Sequence, residues 1–308
     1  MGAVTGPALP PSAVRHLHYA SWSPSSLPIR CSSFGLPRRP FLFLLRSPPP
    51  PRRRLGNNRV RCSAERHALF NRIAPVYDNL NDMLSLGQHR SWKRMCVSWS
   101  GAKRGNRVLD LCCGSGDLVF FLSQKVGTEG ELMTECKGCI PSGWLIQVYG
   151  LDFSSEQLSI ASRREDLYWK ACYKNIEWIE GDALDLPFSD SYFDAITIGY
   201  GLRNLIDRQK AMREIFRVLK PGSKVSILDF NKSTSSLVSL LQEWMIDNVV
   251  VPTASEYGLS QEYKYLKTSI AEFLTGKELE KLAKEVGFSE AKHYEIGGGF
   301  MGNLVATR

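Results

Sequence analysis

The first 64 residues contain no lysine, no aspartate and no glutamate, although they carry ten arginines. All 31 acidic residues therefore lie downstream, against 29 basic ones, so the net charge of +8 belongs to the leading stretch. A balanced body lacks the basic footprint of a nucleic-acid binder. Long apolar runs are scarce too. The longest in the leader, residues 41–45, is far too short to span a bilayer. Residues 237–251 are apolar but include Gln242, Glu243 and Asp247, which excludes a membrane span there. Gly6 stands where N-myristoylation requires Ser or Thr. Of eight cysteines, Cys136 and Cys139 form a CxxC pair with no second pair at zinc spacing. With no secretory signal they read as reduced thiols, and no metal site is expected.

What the leader does have is Ser, Arg and 11 of the 16 prolines. That acid-free composition is typical of an organellar transit peptide. Residues 1–62 are expected to be a disordered transit peptide, with processing near Val60-Arg61-Cys62-Ser63. Ser and Pro favour a plastid over a mitochondrion, and a basic nucleic-acid-binding tail is the alternative. Residues 63–308 are expected to form one domain.

That domain is organised around Val108-Leu109-Asp110-Leu111-Cys112-Cys113-Gly114-Ser115-Gly116-Asp117. An apolar run ends in an acid, a Gly-Ser-Gly turn follows, and residues 118–122 have helical character, which reads as strand, turn, helix. Gly114 and Gly116 allow a sharp turn and close approach of a ligand to the peptide groups. Val119 occupies the third glycine position of a dinucleotide fingerprint, and Asp117 at the helix start would repel a diphosphate. A sulfonium or ammonium suits that carboxylate better, which points to S-adenosylmethionine (SAM). The alternative is an ordinary strand-to-helix turn with glycines for geometry alone.

Acids recur at the ends of later strands. Asp152 follows a strand over residues 145–152 and can accept hydrogen bonds from two ribose hydroxyls. Ser154 or Ser155 then caps a helix reaching Arg163. Asp182 follows a strand over residues 176–179 and can accept from an adenine amine. A fourth strand over residues 193–200 exits into Gly201-Leu202-Arg203-Asn204, a loop expected to face the transferred methyl. A helix over residues 207–219 ends at Lys220-Pro221-Gly222, and a fifth strand covers 224–230. Residues 237–251 read as a core helix or as a lid over a lipophilic substrate. Tyr257, Tyr263 and Tyr265 continue that wall. Thr275 caps a helix over residues 277–286, stopped by Gly287. Strands over residues 291–296 and 300–306 flank Gly297-Gly298-Gly299 as an antiparallel hairpin. The expected fold is α/β, a Rossmann-like class I SAM-dependent methyltransferase with a seven-stranded sheet closed by that terminal hairpin. Residues 127–146 exceed the usual connection in such a sheet and read as a surface insertion, with aberrant splicing as the alternative.

Tyr-Asp-x-x-Asn-x-x-Leu-Ser-x-x-x-His-x-x-Trp, from Tyr77 to Trp92, resembles the N-terminal signature of the ubiquinone/menaquinone C-methyltransferase family. Leu80 stands where that family usually has Met. Arg217-Val218-Leu219-Lys220-Pro221-Gly222 resembles its second signature, with Ser223, Asp229 and Asn231 replacing the usual Gly, Glu and Ser. The resemblance covers residues 66–308. It places Ser115, Asp152, Asp182 and Ala183 at the cofactor, beside Asp110, Gly114 and Gly116 of the turn. It further implies C-methylation of a lipophilic reduced quinone. The cysteine-paired glycine loop and the plastid-like leader resemble the branch acting on demethylphylloquinone, a prenylated naphthoquinone. A mitochondrial ubiquinone precursor, or a SAM-binding subunit without activity, are the alternatives. Arg203 is the expected stabiliser of a quinol anion, Asn204 orients a ring oxygen, and Tyr77, Asp78 or His89 assist. Peripheral contact with a membrane surface is expected; the oligomeric state is not legible.

Overall fold

The computed structural model describes residues 85, 87–127, 147–168, 170–256 and 260–308, all within the compact unit Arg54–Arg308. The leader, Tyr77, Asp78, Cys136, Cys139, Tyr257 and nearly all of the expected insertion lie outside the described residues, as does the side chain of Tyr263.

A single sheet of seven strands forms the centre, in the order β3-β2-β1-β4-β5-β7-β6. Its strands are β1 (Val108–Leu111), β2 (Val148–Asp152), β3 (Ile176–Glu180), β4 (Phe193–Gly199), β5 (Leu219–Phe230), β6 (Glu290–Ile296) and β7 (Met301–Thr307). The first five run parallel, and β7 enters antiparallel between β5 and β6. The expected hairpin is therefore present. Strand β5 begins earlier than its sequence suggests, because Leu219 already pairs with Phe193 before an irregularity re-establishes the ladder at Lys224.

Helices cover both faces: α1 (Gln88–Trp99), α2 (Asp117–Val126), α3 (Ser155–Tyr168), α4 (Arg208–Val218), α5 (Ser236–Met245), α6 (Val251–Glu256), α7 (Ser260–Ala271) and α8 (Gly276–Val286). Alternation along the strands sorts the core. Leu109, Leu111, Ile196 and Ile198 pack with Met212 and Ile215 of α4 and Leu279 of α8. Val108, Val148 and Ala195 face Cys96 of α1 and Leu118, Val119 and Leu122 of α2 on the other side. Each fully buried aliphatic side chain contributes about 1.5–3 kcal/mol. The second face also carries a buried polar row. Thr197 Oγ1 donates to Asp110 Oδ1 at 2.6 Å, and Asn303 Nδ2 donates to Ser226 Oγ at 2.9 Å.

Local signals set most helix ends. Asp207 accepts from Lys210 N to cap α4. Thr275 and Glu278 form a reciprocal capping box on α8, and Gly287 ends it at φ 120°. Helix α3 runs to Tyr168, a full turn past the expected Arg163.

The segment read as a core helix or a lid is neither a single helix nor a core one. After α5, Ile246–Val250 forms a π-helical turn before α6. Gln242, Ile246 and Val250 face inward, whereas Leu237, Leu240, Leu241 and Trp244 lie at least half exposed.

Candidate active site

Strand order reverses between β1 and β4, and the carboxyl ends of these two strands flank the crevice where open parallel sheets bind ligands. Both strands leave the sheet through a strained residue. Cys112 after β1 has φ 58° and Tyr200 after β4 has φ 61°, the left-handed region that side chains avoid. The two exits touch: a Cβ on Gly201 would lie 2.6 Å from Cys112 Cβ. Only glycine at 201 lets the β4 exit close onto the β1 turn. Burial pushes the Cys112 and Cys113 thiols well above their ordinary range, consistent with packing rather than reactive roles.

The glycine turn itself differs from its sequence reading in two ways. Gly114 (φ 54°) and Gly116 (φ 92°) both need a left-handed backbone, but a Cβ on Gly116 would also stand 2.6 Å from the Trp178 ring. Gly116 therefore admits the packing of Trp178, which donates from Nε1 to Glu165 at 2.7 Å. Asp117, in turn, does not wait for a ligand cation. Lys93 Nζ lies 2.7 Å and Arg164 Nη2 2.5 Å from its two oxygens. Burial alone would raise this carboxyl, yet the two cations hold it well below the usual carboxylate range. The sequence-level charge argument for a sulfonium ligand therefore loses Asp117.

Asp152 lies where the sequence puts it. Its Oδ2 accepts from Gly114 N and its Oδ1 from Ser154 N, both at 2.9 Å, so one carboxylate ties the turn to the start of α3. A carboxylate accepts at about four positions, which suits it to ribose hydroxyls as well. Ser154 Oγ caps α3 by accepting from Gln157 N. Asp182 is exposed beyond β3 with Oδ1 accepting from Leu184 N, and Ala183 beside it is buried. Asp110 sits deeper, 1% exposed, with its carboxyl against Thr197 in the sheet interior.

At the β4 exit Arg203 and Asn204 are both buried. Arg203 Nη1 donates to Asp229 Oδ1 at 2.6 Å and to Tyr200 O at 2.9 Å, and Nε donates to Ser269 Oγ at 3.3 Å. The ion pair thus joins the β4 exit to the end of β5. Asn204 Nδ2 donates to Tyr200 O, and its Oδ1 accepts from Tyr265 Oη at 3.3 Å. Tyr265 belongs to α7, so that helix does wall the exit loop. His89 is buried at the start of α1 with Nδ1 3.0 Å from Ser85 Oγ.

Ser115, Gly114 and Asp152 meet at the β1 and β2 ends, and Asp182 and Ala183 follow at the next strand. Arg203 and Asn204 stand at the β4 exit on the other side, and His89 is buried at the start of α1 against Ser85. Sequence reasoning missed Asp229, Lys93 and Arg164. Asp229 stood out only as a departure from the family signature, and nothing local pairs Lys93 with an acid 24 residues away.

The model of the ubiE/COQ5 methyltransferase family matches residues 58–308. A 2-phytyl-1,4-beta-naphthoquinone methyltransferase, chloroplastic, of Arabidopsis thaliana is 66% identical over 81% of this chain and 89% of its own. A 2-phytyl-1,4-naphtoquinone methyltransferase of Trichormus variabilis is 46% identical over 79% of this chain and 99% of its own. Among solved structures, a SAM-dependent methyltransferase from Thermotoga maritima shares the fold, with a TM-score of 0.50 and 17% identity over 78% of this chain and 98% of that one. A match spanning almost the whole body, on a sheet of this order with acids at its strand ends, has one meaning: the chain belongs to the ubiE/COQ5 methyltransferase family.

Proposed function

We propose that the chain is a SAM-dependent C-methyltransferase of a prenylated naphthoquinol, converting the 2-phytyl-1,4-naphthoquinol to its ring-methylated product. The observation that carries this is the identity with the Arabidopsis enzyme, 66% over 81% of this chain and 89% of that enzyme's length. The residues present fit SAM. Gly114 turns tightly with its N–H held by Asp152, and acids end β2 and lie just past β3, which suits an adenosine. Asp152 would hold the ribose, Asp182 the adenine amine, and the backbone at Ser115 and Ala183 the remaining edges.

When bound, SAM supplies a methyl group already activated on sulfur. The chain must then align a nucleophilic ring carbon and exclude water. A quinol carbon is most nucleophilic as the phenolate, and phenols ionise near pH 10. Arg203, fixed in direction by Asp229, holds the ring oxygen as its anion, and Asn204 orients it. Arg203 stays protonated and is no base, so the hydroxyl proton leaves to water. The hydrogen of the methylated ring carbon must then also leave to water to restore the aromatic ring, with the ring oxygen regaining one proton. Tyr77, Asp78 or His89 assists.

Residues 1–62 act as a plastid transit peptide, and the mature enzyme rests on a thylakoid surface. The outward apolar residues of α5 support that placement, since a lipophilic substrate resides in the bilayer. Competition tests the substrate class. Equimolar reduced naphthoquinone and benzoquinone precursors, with labelled SAM, should yield label overwhelmingly on the naphthoquinol. Preferential labelling of the benzoquinol would favour the mitochondrial alternative. Import of the full chain into isolated chloroplasts and not mitochondria checks the leader.

A further inference from the structure

The glycine turn leans on a single stripe of α3. Ala161 Cβ would lie 3.3 Å from a Cβ on Gly116. Arg164, less than one turn further, donates to Ser115 O at 2.8 Å and pairs with Asp117. One turn back, the same stripe presents Gln157, and the spacing of four and then three residues keeps all three side chains on one face. Ala161 is satisfied by packing and Arg164 by its ion pair. Gln157 is different.

Gln157 is 5% exposed, and its Oε1 lies 3.8 Å from the Cβ position of Gly114. That oxygen is buried and has no hydrogen-bond partner among the described residues. Buried carbonyl oxygens without partners are rare, because they forfeit their hydration without replacement. The other buried amide oxygen in this condition, on Gln147, precedes β2 at the amino end of the strands, opposite the carboxyl ends that flank the crevice. Gln157 instead shares Gly114 with Asp152, whose Oδ2 holds the Gly114 N–H. The donors that a bound adenosine brings to a strand-end acid of this kind are its ribose hydroxyls. The adenine amine belongs one strand further on, at Asp182.

We propose that Gln157 is a cofactor-positioning residue whose Oε1 accepts a hydrogen bond from a ribose hydroxyl of bound SAM, beside Asp152. This rests on the reading of the crevice as a SAM site. It adds a residue to the ribose contact and gives the orphaned oxygen its partner. Without ligand the oxygen is a liability to the fold, and with ligand it is satisfied. An apolar side chain of similar size should therefore move the two states in opposite directions.

The test uses the full chain, its Gln157→Met variant and S-adenosylhomocysteine, with binding read by calorimetry. The variant is expected to bind about 5- to 10-fold more weakly, the ordinary worth of one hydrogen bond. Its ligand-free melting temperature is expected to rise by about 2–4 °C. The 2′-deoxy and 3′-deoxy forms of the same ligand locate the contact. One of them should cost the wild type affinity that it does not cost Gln157→Met. Equal affinity of variant and wild type overturns the proposal, as does an unchanged penalty for both deoxy forms. A ligand-free Gln157→Met or Gln157→Leu protein that melts below wild type, or fails to fold, shows that the amide serves the fold and overturns it too. A wild type that binds no S-adenosylhomocysteine removes the SAM reading itself.

Discussion

Asp229 Oδ1 accepts a 2.6 Å hydrogen bond from Arg203 Nη1, and both side chains are almost wholly buried. The pair joins the end of β5 to the exit of β4, and Asp229 Oδ2 also accepts from Arg203 N at 3.1 Å. Removing one member strands a buried charge. Asp229→Ala is expected to lower stability by about 3–5 kcal/mol, measured by urea unfolding. Replacing both, as Arg203→Met with Asp229→Leu, should recover most of that stability. It should not recover turnover, because the guanidinium proposed to hold the quinol anion is gone. Recovery of activity along with stability would show that the pair serves only the fold.

The two glycines of the turn should separate by mutation. Gly114→Ala meets nothing closer than 3.8 Å and suffers only its positive φ, about 1 kcal/mol. Gly116→Ala adds the overlap with Trp178, and about 2–4 kcal/mol is expected. Equal losses in urea unfolding would contradict the packing role of Gly116.

Burial lifts the Asp110 carboxyl to about 8, against the Thr197 hydrogen bond and the field of Lys93, which lower it. An unfolded aspartate ionises near pH 4, so between about pH 4 and 8 the folded chain holds one proton more than the unfolded chain. This group's contribution to stability therefore falls as pH rises through that window and levels off above it. Asn carries no such proton and still accepts from Thr197. Asp110→Asn should flatten that part of the profile and exceed wild type in stability at pH 8, as read by urea unfolding at successive pH values. A profile parallel to wild type would contradict the buried, protonated carboxyl.

The exposed face of α5 makes a separate prediction. Leu240 and Trp244 are 65% and 58% exposed on the same side of the helix. Burying them in lipid gains about 1.5–3 kcal/mol each, so Leu240→Ala with Trp244→Ala should weaken co-sedimentation with thylakoid-lipid vesicles at least about 10-fold. SAM binding should not change. Unaltered sedimentation would contradict a membrane contact through α5.

Much of this was legible in the sequence because the signals are local. Strand runs that end in Asp152 or lead into Asp182, the caps at Ser154 and Thr275, and the stop at Gly287 each announce themselves within a few residues. The Arg203 to Asp229 and Lys93 to Asp117 pairs span 26 and 24 residues and depend on strand order, which periodicity does not encode. The apolar positions of α5 show the same spacing whether they face a core or the outside, so sequence left a core helix and a lid both open. The role of Gly116 was hidden for another reason: the ring that requires it, Trp178, lies two strands away.

The central claim is that this crevice methylates a quinol through its phenolate. It is tested most directly by offering the full chain labelled SAM with demethylphylloquinone in chemically reduced and in oxidised form. Label on the ring carbon from the reduced form alone is the expected result. Equal transfer to the oxidised quinone, or none to either while SAM still binds, would contradict it.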